Sequence, residues 1–148
     1  MVLRADPDEL IQKGIQSLQQ KNPLAALAYF ERAYTIRKSS LATSYYGLCI
    51  ATERGKVSDG IVLCSEAIEQ EPHDPRHYLN LAKVYLKAGR KSDCLETLRK
   101  GLAQGDEPEV RYLLETIGVR KPPIFSFLPR SHFLNRYLGY ILSFLRLR

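Results

Sequence analysis

The residues of this 148-residue chain best equipped for chemistry are three cysteines and two closely spaced histidines. Cys49, Cys64 and Cys94 could attack a substrate or hold a soft metal, but either role needs a partner group at short spacing. No Cys-x-x-Cys pair occurs, and Cys64 and Cys94 fall on what reads as the buried stripe of a helix, where a thiol serves as a small apolar filler. His73 and His77 stand four apart, the spacing of a metal pair on one helix face. Pro75 lies between them at a helix start, so His73 is expected in a loop and the spacing loses its geometric meaning. The sequence holds no glycine-rich phosphate loop, no nucleophile motif and no clustered carboxylates. It therefore predicts no enzyme, no cofactor and no metal site.

What positions these residues is a repeat. From Asp74 to Gly105 the chain reads Asp-Pro, then Tyr78, Leu81, Ala82 and Tyr85 at helical spacing, a break at Gly89, then Cys94, Leu98 and Gly101. Thirty-four residues earlier Gly55, Ser58, Asp59, Cys64 and Ala67 occupy the matching places, and Phe30 and Ala33 do so one period before that. A fixed period of this size marks stacked helical hairpins. Start signals recur at Asp6-Pro7 and Asn22-Pro23, Ser40 is expected to cap the next helix, and Ser58 or Asp59 the one after. In the second unit the register slips, which predicts one extra residue before Gly55. Small residues (Gly14, Gly47 and Ala82 on first helices; Ala26, Ala33, Gly60, Ala67 and Gly101 on second) predict close helix crossings.

The expected architecture is all-α. Three helix-turn-helix units span about 7–40, 41–74 and 75–108, and a closing helix 108–118 completes a repeat domain over 1–118. An apolar, proline-bearing linker 119–131 and a basic amphipathic helix 132–148 follow. The repeated pattern (apolar or aromatic, Leu, Gly or Ala, Tyr in the first helix; Ala, Phe, Ala in the second; proline at the end) resembles the tetratricopeptide repeat family over roughly residues 7–118. The resemblance implies a right-handed α-solenoid whose first helices line a concave groove, and a non-catalytic adaptor or scaffold that binds a peptide or helix there. The groove would then present Gln12, Ile15, Gln19, Tyr45, Cys49, Thr52, Asn80, Lys83 and Lys87, with positive charge at its far end suited to a segment carrying some acid. Chaperone-binding members of the family grip a terminal carboxylate with a Lys, Asn and Arg clamp. Ile11 and Ile15 stand where that Lys and the first Asn belong, and Arg76 and Asn80 alone echo the rest, so this function is not expected.

Charge separates the tail from the repeats. Residues 1–118 carry 16 basic and 16 acidic side chains, whereas residues 119–148 carry six basic ones and no acid, which accounts for the net charge of +6. In the expected last helix Arg136 and Arg146 share one wedge, while Tyr137, Tyr140, Ile141 and Phe144 belong to the apolar arc, a face that must find cover. It could fold back on the repeats, lie in a membrane interface, or pair with a partner protein or a second copy. Nucleic acid is a poor fit for cations set among bulky apolar residues. The alternatives to an adaptor are a peripheral membrane protein anchored by this helix and a small chaperone for a dedicated client. The absence of a leader-like start and the odd number of cysteines lead us to expect the cytoplasm, with the inner face of a membrane as a possible resting place.

Overall fold

The computed structural model describes residues 6–118. The linker 119–131 and the helix expected over 132–148, with Arg136, Tyr137, Tyr140, Ile141, Phe144 and Arg146, lie outside the described residues. Seven α-helices follow in order: α1 (Pro7–Gln19), α2 (Pro23–Ile36), α3 (Ser40–Glu53), α4 (Val57–Gln70), α5 (Pro75–Lys87), α6 (Lys91–Gln104) and α7 (Pro108–Gly118). There is no strand among the described residues. The second helices begin at residues 23, 57 and 91, one period apart. Helix pairs α1–α2, α3–α4 and α5–α6 form three hairpins, and α7 packs on α6 where a fourth hairpin would begin. No described helix is long and apolar enough to cross a membrane.

Helix starts are set locally. Asp6, Asn22 and Asp74 accept backbone N–H bonds from Asp8, Ala25 and Arg76, each with proline in the first turn. Ser39, not Ser40, caps α3, its hydroxyl oxygen accepting from the Ala42 N–H at 3.3 Å. Neither Ser58 nor Asp59 caps α4; both lie inside its first turn, and no side chain caps that helix or α6. These two helices leave tight reversals at Gly55 and Gly89, whose positive φ values of 69° and 73° aim the chain into the next helix without help from a side chain.

The extra residue of the second unit appears in the hydrogen bonds that close those reversals. Asn22 N–H bonds to the Ser17 carbonyl and Arg90 N–H to the Tyr85 carbonyl, both five residues back. Lys56 N–H reaches six residues back, to Ile50. Helix α3 thus starts one residue early relative to the 34-residue period. That shift brings Gly47 into the place filled by Gly14 in α1 and Ala82 in α5.

The small residues sit where helices cross. Gly47, Ala67, Ala82 and Gly101 are all buried. A methyl group on Gly60 would stand 2.6 Å from the Gly47 carbonyl oxygen, and one on Gly101 would stand 2.7 Å from the Tyr78 Cβ. Around these crossings the core runs through the stack as three linked clusters, centred on Phe30, on Cys64 with Val84, and on Leu98 with Val110. Each large side chain so buried contributes about 1.5–3 kcal/mol.

Candidate functional site

The first helices bring most of the expected groove residues to one place. A hollow of about 510 Å³ is lined by Ile15, Leu18 and Gln19 of α1, by Tyr45, Leu48, Cys49 and Thr52 of α3, by Leu79, Asn80 and Lys83 of α5, and by Glu109 of α7, with Pro23 and Glu53 beside them. Gln12 and Lys87, also expected in the groove, are exposed and are not among its lining residues. Leu18, Leu48 and Leu79 join the lining although the sequence reading did not single them out.

The lining differs in character from the expectation. Cys49 and Asn80 are each only 1% exposed and form the floor. Asn80 Nδ2 donates to Ser44 Oγ at 2.9 Å, tying α5 to α3, so this amide is committed to the fold. Tyr45 stacks on Phe30 with ring centroids 4.9 Å apart, and burial pushes its hydroxyl up to about 12. Thr52 Oγ1 donates to the Leu48 carbonyl at 3.1 Å.

Charge in the hollow also departs from the sequence reading. Lys83 Nζ lies 2.5 Å from Glu109 Oε1, so the closing helix neutralises the one lysine that reaches the lining. Glu53 adds a carboxylate with no ion-pair partner among the described residues. The positive far end that favoured an acidic ligand is therefore absent from the hollow itself. The two residues that echo a carboxylate clamp are equally committed: Asn80 to Ser44, and Arg76 to Asp74, whose carboxylate accepts from its Nε and Nη2.

The cysteines offer no ready thiolate. Burial pushes the Cys49 and Cys64 thiols up to about 12 and raises that of Cys94, so all three stay protonated at neutral pH. Cys64 and Cys94 are fully buried, as their place on the helix stripe predicts.

A second polar cluster escaped the sequence reading. His73 sits in the α4–α5 turn with Nδ1 3.1 Å from Gln104 Oε1, so it does not pair with His77. His77 instead turns inward beside Glu71 and Asp74. Burial holds its imidazole below the ordinary value, against the opposing pull of both carboxylates. At Asp74, burial works the other way, and the Arg76 hydrogen bonds outweigh it to keep the carboxyl low. The available signal was the spacing Glu71, Asp74, His77 across a proline turn, which places a helix end, a cap and a first-turn residue together.

Comparison with known proteins agrees with this architecture. The tetratricopeptide repeat profile matches residues 51–117. No curated protein sequence matches the chain. Among solved structures, the Sgt2 repeat domain from Aspergillus fumigatus is 16% identical, with 76% of each chain covered and a TM-score of 0.61. The TPR2B domain of yeast Sti1, in its pHsp70 complex, is 18% identical over 76% of this chain and 95% of that one, with a TM-score of 0.59. An O-GlcNAc transferase mutant from Thermobaculum terrenum is 21% identical with a TM-score of 0.65; 79% of this chain is covered but only 23% of the enzyme. With the hairpin stacking and the small residues at the crossings in agreement, residues 51–117 match the tetratricopeptide repeat model and the described residues share the fold of solved tetratricopeptide repeat domains.

Proposed function

We propose that this protein is a non-catalytic adaptor that holds a segment of a partner protein in the hollow between α1, α3, α5 and α7. The observation that carries the reading is the lining: Ile15, Tyr45, Leu48 and Leu79 make it apolar, while Gln19, Thr52 and Glu53 supply polar groups at its edge. Such a surface suits an apolar-faced helix or extended segment. The complex of the Sti1 domain with pHsp70 supports the same use of the fold. The ligand is not a terminal carboxylate in this reading, because Arg76 and Asn80 are already spent on Asp74 and Ser44. Nor is it chosen for acidity, because Glu109 cancels Lys83.

The test is a ligand selected from a displayed peptide library against the full chain. Thr52→Arg, which fills the hollow from its half-buried rim, should weaken that ligand by at least about tenfold, equivalent to about 1.4 kcal/mol. Val62→Arg, on the outer face of α4 where Val62 is 64% exposed, should leave binding unchanged. Equal binding by wild type and Thr52→Arg would remove the hollow as the site.

A further inference from the structure

The junction between the second and third hairpins gathers three groups with metal-ligand chemistry. Glu71 is the C-cap of α4, Asp74 the N-cap of α5, and His77 lies in the first turn of α5. Their ligand atoms all lie within 4.8 Å of one another. His77 Nε2 is 3.5 Å from Glu71 Oε2 and 3.9 Å from Asp74 Oδ2. The imidazole is 0% exposed, yet neither ring nitrogen has a hydrogen-bond partner. A buried polar group left in that state is costly, so the ring calls for a partner on the side where the carboxylates stand.

We propose that Glu71, Asp74 and His77 bind a divalent first-row transition ion, with zinc the member that fits best. Tetrahedral coordination at about 2.0–2.1 Å sets ligand atoms about 3.3–3.4 Å apart. The two His77 separations are close to that, and the Glu71–Asp74 pair, within 4.8 Å, closes by a rotation of the exposed Glu71 side chain. One imidazole with two carboxylates is a donor set for zinc and its neighbours; magnesium and calcium favour oxygen ligands throughout. Water completes the coordination from the open side of the turn, where Glu71 is exposed. His73 takes no part, since its ring faces Gln104. Arg76 is the competitor: its Nη2 lies 2.6 Å from Asp74 Oδ2, and its charge opposes a cation on the same carboxylate. The ion would pin the end of α4 to the start of α5 and so join two hairpins.

Zinc chloride titrated into the metal-stripped full chain by calorimetry, with thermal melts alongside, decides the matter. The expected result is one ion per chain and a melting temperature that rises with zinc. Glu71→Gln changes an exposed side chain and should keep the fold, checked by circular dichroism. It should weaken zinc by at least about tenfold, the loss seen even when a group that merely orients a ligand is removed. Arg76→Gln should tighten zinc, because it removes the competing cation. No uptake by the wild type overturns the proposal. Glu71→Gln binding as tightly as wild type also overturns it, for the ion is then held by other groups of the chain. So does weaker binding by Arg76→Gln.

Discussion

The first and middle hairpins solve one packing problem with opposite means. In the first, Gly14 on α1 faces Phe30 on α2, and a methyl added to Gly14 would meet the ring at 2.6 Å. A large side chain from one helix fills the hole left by the other. In the middle hairpin the matching residues, Gly47 and Cys64, are both small, and Gly60 adds a second glycine opposite Gly47. There the backbones themselves close the gap. The third hairpin stands between them with Ala82 and Leu98, both buried. What recurs every 34 residues is the space to be filled, divided differently between the two helices each time.

This contrast breaks first, and most severely, in the middle hairpin. Gly60→Val puts its added carbons against the Gly47 carbonyl oxygen and the Ala51 Cβ, atoms of backbone and of a fully buried residue that have nowhere to go. The expected loss is about 3 kcal/mol, the upper part of the usual range for overpacking, read as a lower urea midpoint at constant slope. A midpoint unchanged from wild type would show that α3 and α4 can part without cost, and that their close approach stabilises nothing.

The first hairpin allows a finer test, because its pair can be converted into that of the third. Gly14→Ala alone should cost about 1–2 kcal/mol, since the Phe30 ring must shift to admit the methyl. Phe30→Leu alone should cost a similar amount by leaving space beside Gly14. The double variant carries the Ala and Leu found at positions 82 and 98, and should lose less than the two single losses added together. A favourable coupling of about 0.5 kcal/mol or more in a double-mutant cycle is the expected result. Strict additivity would mean that the two positions are filled independently and that the shared-volume reading is wrong.

The same contrast explains what could be read without coordinates. Helix positions, the reversals at Gly55 and Gly89, and the crossings at Gly47, Ala67, Ala82 and Gly101 follow from periods and residue size, quantities that each short stretch carries by itself. The slip in the second unit was visible for the same reason. Contacts between distant residues carry no period. Lys83 is neutralised by Glu109 from two helices later, and Asn80 is used up by Ser44 from the preceding hairpin. Both looked like free groove residues because only the folded stack brings their partners near. His77 was discounted along with His73, although it was the loop residue alone that the proline removed. The cap of α3 was misplaced by one position because Ser39 and Ser40 are chemically equivalent and the slip in register decides between them.

The smallest effect concerns the reversals. The middle and third hairpins turn on glycine at positive φ, where the missing Cβ makes the left-handed conformation cheap. The first hairpin turns on Lys21 at the equivalent place, with φ of 57°, the lone positive-φ residue other than glycine among those described. Its closing bonds, Lys21 N–H to the Leu18 carbonyl at 3.0 Å and Asn22 N–H to the Ser17 carbonyl at 2.9 Å, match those made at Gly89 and Arg90. The turn is thus the same and only the strain differs. A non-glycine residue in this region carries about 1 kcal/mol of steric cost. Replacing it with glycine removes that cost but also loosens the unfolded chain, which takes part of the gain back. Lys21→Gly should therefore stabilise by about 0.5 kcal/mol, measured in the same urea titration. Loss of stability instead would show that the Lys21 side chain contributes more at the turn than its backbone costs, and that the three reversals are not interchangeable.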